Sequence, residues 1–215
     1  MSYNFQQKWT ASLGYSYTKD VITTTLINDL AKKTLYIIEQ NLASERNYNL
    51  NIGAPINVTK WWETNNDFTL YYNIFKSPNL MGLPFNSGKL SYIINSSHTF
   101  NISPSVNAEW AIDYHSAQVY GTYAVKPLYG IDFGVSKSFA AKRANVKFAI
   151  NDVFNMRKAN IKSAIPLQDY QLYQKQESRI FRLSFSYNFG SSSIKAARER
   201  SKSSDTEQSR VKSGN

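Results

Sequence analysis

The stretch that most constrains the fold is Arg179 to Gly190, RIFRLSFSYNFG. Phe181, Leu183, Phe185, Tyr187 and Phe189 share one parity, and Arg182, Ser184, Ser186 and Asn188 the other. Strict alternation is the period of a β-strand with one apolar and one polar face. The run has about the 9–11 residues that a tilted membrane-crossing strand needs. Its apolar face is almost wholly aromatic, and it stops on Phe189 before a tail rich in Ser, Lys and Arg. The same pattern also fits one strand of a soluble β-sandwich, so the rest of the chain must decide.

The alternation recurs. Trp9 to Tyr17, Tyr48 to Ile56, Phe68 to Ile74, Val106 to Tyr114, Tyr129 to Val135 and Ala144 to Ile150 each place apolar residues at every second position, and Leu90, Tyr92, Ile94 and then Phe100 and Ile102 share one parity. With the final run this makes about eight strands, each near the ~10-residue pattern of membrane barrels. Pro55 lies inside one of them and argues against bonding on both sides there, so a bulge or strand end is expected. The connections alternate in length: 19–46 long, 59–63 short, 76–88 long, 103–105 short, 120–127 medium, 140–144 short and 157–178 long. Short turns at one end and long loops at the other are a habit of outer-membrane barrels. A sandwich has no reason to sort its loops this way.

Composition agrees. The chain has 215 residues, 14% of them aromatic, with 15 Tyr and 12 Phe, which favours strands over helices. A mean hydropathy of −0.45 looks soluble, yet a barrel with a polar interior gives the same value. No apolar run approaches the ~18 residues of a membrane helix. Cysteine is absent, which removes disulfides and thiolate metal sites. The opening MSYNFQQKW has no basic region followed by an apolar one, so the chain is expected either to be cytosolic or to be the end of a longer protein whose export signal lies upstream.

Aromatic residues cluster near strand ends. Trp9, Trp61, Trp62, Phe100 and Phe139 fall at the short-turn end; Tyr17, Phe75, Tyr92, Tyr114 and Tyr129 fall toward the long loops. Rings with an apolar body and a polar tip favour the headgroup level on both sides of a bilayer. Trp9, Trp61, Trp62, Tyr17 and Tyr129 are the expected girdle. By parity, Leu13, Leu70, Ile112, Phe133, Phe148 and Phe185 should face lipid, and Glu109, Asp132, Asn151 and Arg182 the interior.

On these residues the chain resembles a family. Asn151-Asp-Val-Phe-Asn155 resembles the end of a late barrel strand in TonB-dependent outer-membrane receptors, and FRLSFSYNFG resembles their last strand. The resemblance runs from about Trp9 to Gly190. It implies an all-β fold, an antiparallel meander of a transmembrane β-barrel, as a part of a larger barrel of roughly 22 strands closed by a plug. It further implies localisation in the outer membrane, nutrient transport by the whole protein, and a C-terminal segment that does not transport alone. The implied partners are outer-membrane lipid, the barrel-assembly machinery, which would read Phe181, Leu183, Phe185, Tyr187 and Phe189, and the remaining barrel and plug. The alternatives are a self-contained small barrel with a structural or adhesive role and a soluble sandwich that binds a ligand. The barrel segment is expected over residues 1–190.

Chemistry has little support. His98 and His115 are the only histidines. Asp113 beside His115 could form a dyad, but a polar pair lining a barrel is the better reading. No catalytic residues, cofactor or metal are expected, and the protein is read as a non-enzyme. The tail 191–215 carries Lys195, Arg198, Arg200, Lys202, Arg210 and Lys212 among serines and is expected to be disordered. Glu199, Asp205 and Glu207 dilute its charge and no aromatics interleave, so no nucleic-acid partner is expected.

Overall fold

The computed structural model of the chain describes residues 2–5, 8–165, 168 and 170–189; the tail 191–215 lies outside them. Alternating residues become strands throughout: β1 Ser2–Phe5, β2 Trp9–Asp29, β3 Thr34–Asn57, β4 Trp62–Leu80, β5 Leu83–Ser103, β6 Val106–His115, β7 Gln118–Tyr120, β8 Tyr123–Val125, β9 Leu128–Phe139, β10 Ala144–Asn151, β11 Ala159–Ser163, β12 Gln171–Gln174 and β13 Ile180–Tyr187. Nine form one sheet in the order β1-β2-β3-β4-β5-β6-β9-β10-β13, each antiparallel to its neighbours. The fold class expected from the sequence, an all-β antiparallel meander, is what the chain adopts. The remaining four form a smaller sheet, β12-β11-β8-β7. The main sheet thus contains the eight expected strands plus β1, and the small sheet was not foreseen.

The registers keep one face apolar across the whole main sheet. Leu13 pairs with Leu50 and Leu50 with Leu70; Leu70 pairs with Tyr92. Farther along, Ile112 pairs with Ile131, Trp110 with Phe133, Val135 with Phe148 and Phe148 with Leu183. A one-residue slip anywhere would turn this face polar, so the pattern pins the register. Every residue expected to face outward stands on this side, and Glu109, Asp132, Asn151 and Arg182 stand on the other. We call this single-layer part the belt. Pro55 pairs with Asn65 on β4, while the β2 pairing begins only at Gly53 and Thr10. Proline sits where the strand is bonded on one side, and the chain runs straight through to Asn57 without the expected bulge.

Two long connections are in fact strands. The stretches 19–46 and 76–88 continue the hairpins β2–β3 and β4–β5, whose strands reach 21, 24, 19 and 21 residues. That is about twice what crosses a membrane. The β4–β5 tip is a two-residue turn, Met81-Gly82, with positive φ at both positions (56° and 86°), the twist-matched hairpin turn. The alternation was hidden in β2 because Asp20 has φ 55°. Below it odd residues such as Tyr15 and Tyr17 are exposed, whereas above it odd residues Thr23 and Thr25 are buried. The medium and long connections 120–127 and 157–178 likewise contain strands. The chain leaves the main sheet after β6 and again after β10, and the two excursions pair with each other, Val125 opposite Ile161.

The small sheet lies against the inner side of the extended hairpins. Leu42, Phe75, Leu80, Phe85, Val119 and Ile165 form the buried core between the layers. The tip of β7–β8 reaches β2, where Thr122 Oγ1 donates to Thr24 O at 3.1 Å. A side chain on Gly121, which has φ 54°, would collide there with Thr23. This two-layer part is the head. Phe75, expected in the girdle, is 2% exposed and belongs to the core of the head instead.

Candidate functional site

Two surfaces carry the expected residues, the outward face of the belt and its inner face. On the outward face several of the expected rings lie against one another across neighbouring strands. Tyr15 and Tyr48 lie 5.0 Å apart, Tyr92 and Tyr114 5.6 Å, and Tyr114 and Tyr129 6.2 Å, toward the head. Tyr17 stands at the same edge, with the Arg46 guanidinium 5.7 Å over its ring. At the short-turn end Trp61 and Trp62 lie 6.0 and 5.7 Å from Phe100, and Trp9 is exposed. Phe139 stacks on Phe185 at 6.4 Å. Phe181, Leu183 and Phe185 of β13 are 63%, 76% and 65% exposed, and Phe189 beyond it 91%. The terminal strand therefore presents its entire apolar row to the surroundings.

The inner face is built from short polar side chains. Along β3, Asn49 Nδ2 donates to Asn47 Oδ1 (2.7 Å) and Asn51 Nδ2 to Asn49 Oδ1 (3.1 Å), while Thr69 donates to Asn51 Oδ1 (2.9 Å). Asn47 continues the ladder to Asn73. Lys147 and Glu109 pair at 2.8 Å on the same side. Amides that satisfy one another can line a wet wall without presenting net charge.

Where the belt meets the head, the inner face carries a denser lattice. Arg157 donates to Asp132 Oδ1 at 2.7 Å and to Asp113, joining β6 and β9. It lies over Gly130, where any Cβ would strike the guanidinium. Asp152, fully buried, accepts from the backbone N–H of Met156 (2.7 Å) and Arg157 (3.0 Å) and from the Ser178 hydroxyl. Lys175 Nζ stands 3.6 Å from it and donates to the carbonyls of Asn155 (3.2 Å) and Arg157 (3.1 Å). Asp152 and Asn155 have φ of 45° and 57°, a region Asp and Asn enter more readily than other residues. The segment Asn151 to Asn155 is thus the turn by which the chain leaves the sheet. A recess of about 270 Å³ beside it is lined by Arg157, Lys158, Gln174, Gln176 and Ser178.

Sequence reasoning placed Asp113 and Asp132 but missed Arg157, Lys175 and Ser178, which come from a connection with no period. The one local hint was Arg157 two residues after the Asn151–Asn155 motif. Asp113 meets Arg157, not His115. His98 stands on the outward face, where Trp62 Nε1 donates to its Nδ1 at 3.2 Å. Among the described residues no group of three or more His, Asp or Glu side chains is placed to hold a metal ion. In the head, burial pushes the Tyr170 phenol up to about 12, with Tyr123 adding to the rise and Ser163 opposing it. Tyr170 Oη is buried without a well-formed hydrogen bond.

The pattern of the outer membrane protein beta-barrel family matches residues 1–187. No curated protein and no solved structure matches the chain.

Proposed function

The chain belongs to the outer membrane protein beta-barrel family, and on that premise we propose that it is a wall segment of a wider, transport-type barrel of the TonB-dependent receptor kind. The observation that carries this is the pair of open edges: the main sheet begins at β1 and ends at β13, with no pairing between them among the described residues. Unpaired N–H and C=O groups in hydrocarbon cost several kcal/mol each, so both edges call for partner strands. The inner lining supports the same reading. Asn, Ser and Thr side chains leave room for a wide lumen, whereas a narrow closed barrel fills its interior with larger groups. In this reading the protein is not an enzyme, and the segment alone does not transport. Outer-membrane lipid, the barrel-assembly machinery and the rest of the barrel are its partners.

The test is closure. The chain is expressed behind a bacterial signal peptide, with cysteine pairs scanned along Leu13–Tyr17 and Phe181–Phe185. The expected result is no intramolecular cross-link and no heat-modifiable monomer unless further strands are supplied. A compact, protease-resistant monomer that cross-links internally would replace the wall segment by a small self-contained barrel.

A further inference from the structure

On the inner face of the belt one cross-strand row is half empty. Glu109 of β6 stands opposite Gly134 of β9, Gly134 opposite Ala149 of β10, and Ala149 opposite Arg182 of β13. A carboxylate and a guanidinium thus end a row whose two middle positions carry almost no side chain. With Ala111, two residues beyond Glu109 on β6, these small residues floor a recess of about 210 Å³, rimmed by Lys147, Asp132 and Asn151. Neither backbone nor packing requires Gly134. Its φ is not positive, and a Cβ built there meets nothing closer than 3.7 Å, an ordinary contact. At Gly130, on the same strand, a Cβ would lie 2.4 Å from Arg157. Glycine inside a strand weakens it and often marks the close approach of a ligand. Arg157 accounts for Gly130; the space over Gly134 is still to be filled.

The charges around this floor are not equally engaged. Glu109 holds Lys147 at 2.8 Å. Asp132 Oδ1 accepts from Arg157 at 2.7 Å and from the Asp152 backbone N–H at 2.7 Å. Both carboxylates are therefore taken. Arg182 is exposed and has no ion-pair partner among the described residues. The Lys147 ammonium keeps two further N–H groups after its bond to Glu109. Lys147 and Asn151 flank Ala149 along β10, and Arg182 faces it from β13. Ala149 is thus bordered by donors on three sides, and the charge left over is positive.

We propose that this recess binds a small organic carboxylate. The carboxylate lies over Ala149 and accepts from the Arg182 guanidinium, with the Lys147 ammonium beside it, and the carbon body rests on Gly134 and Ala111. Charge complementarity selects an anion, because both carboxylates facing the recess are already paired and Arg182 is not. The planar guanidinium fork matches a carboxylate, and a floor of methyl groups and bare backbone favours a carbon body over inorganic phosphate. The inference rests on the wide lumen proposed above, since the solute must reach the inner face.

The test uses the assembled barrel in detergent, with succinate binding followed by saturation-transfer NMR and inorganic phosphate as competitor. Succinate is expected to bind about tenfold more tightly than phosphate, and Arg182→Gln to weaken it about tenfold, the loss of a charged hydrogen-bonding partner. Gly134→Val should abolish binding by filling the floor, with folding kept because valine suits a strand. Glu109→Gln frees Lys147 and removes a repelling charge, so it should strengthen binding about threefold. Weaker binding in Glu109→Gln would assign the recess to a cation and overturn the proposal. Undiminished binding in Gly134→Val, or phosphate bound as tightly as succinate, would reduce the site to a general anion patch and overturn it too. Ala149→Cys, treated with a water-soluble maleimide, checks the lumen separately. If that thiol is unreactive in the folded barrel, the wide lumen falls together with the site; if it reacts and no succinate binds, the site alone is refuted.

Discussion

The belt and the head share the four long strands β2 to β5, yet they solve burial differently. In the belt a single layer turns Leu13, Leu70, Phe133 and Phe148 outward and relies on the surrounding medium to cover them. In the head the two excursions after β6 and β10 lay a second layer on these hairpins, and Leu42 and Phe75 are sealed against Val119 and Ile165. The change takes place at Asp20, where a left-handed residue reverses the parity of β2. Membrane strands need only an apolar row facing lipid, whereas strands with water on both sides need a core. The difference teaches where the bilayer ends: at the level at which a strand stops trusting its surroundings and starts packing on protein.

The comparison can be tested from its strongest contact downward. Phe75→Ala should cost the head about 3–5 kcal/mol, the usual toll for emptying a buried aromatic site. Hydrogen exchange should then rise in β7, β8 and β11 while the belt keeps its protection. Equal loosening of the belt would show that the two parts are one unit. Phe148→Arg should cost the belt about 2–4 kcal/mol in bilayers, whereas Ser186→Arg on the inner face should stay within about 1 kcal/mol. If unfolding titrations in lipid give the two the same loss, the outward face does not meet hydrocarbon.

At the junction, Arg157→Leu leaves Asp113 and Asp132 facing each other without a cation, and should cost about 1–3 kcal/mol. Arg157→Lys should recover only part, because an ammonium lacks the fork that reaches both carboxylates. Faster exchange at Met156 and Arg157 would read this out. Tyr170→Phe is the smallest effect: removing a buried, poorly bonded hydroxyl should be neutral or stabilising, within about 0.5 kcal/mol by thermal melting of the head. A clear loss would mean that the phenol has a partner.

These two regions were not equally legible. The belt announces itself because its requirement is local: each strand needs an apolar residue at every second position, and Phe181 to Phe189 displays that without reference to any other residue. Pro55 could be read for the same reason. The core of the head is assembled from residues as far apart as Leu42 and Ile165, and its small strands are three to five residues long, too short to show a period. Thr23 and Thr25 are buried without being apolar. Arg157 carries no signal by itself, because its role depends on Gly130 leaving space and on two aspartates from other strands.

The interleaving of the two excursions also sets an order on assembly. β8 pairs with β11, so the inner layer of the head cannot form from the first excursion alone. Leu42, Phe75, Leu80 and Phe85 are made and delivered early, while Ile165 arrives only after β10 has been threaded past. Closing so long a stretch of chain is slow compared with zipping neighbouring hairpins, and apolar surface left waiting is prone to stick to other chains. The main sheet can grow hairpin by hairpin from its first strand, but its head stays half-dressed until nearly the whole polypeptide has been delivered. The interval in which this apolar surface stays uncovered falls between the arrival of β5 and that of β11.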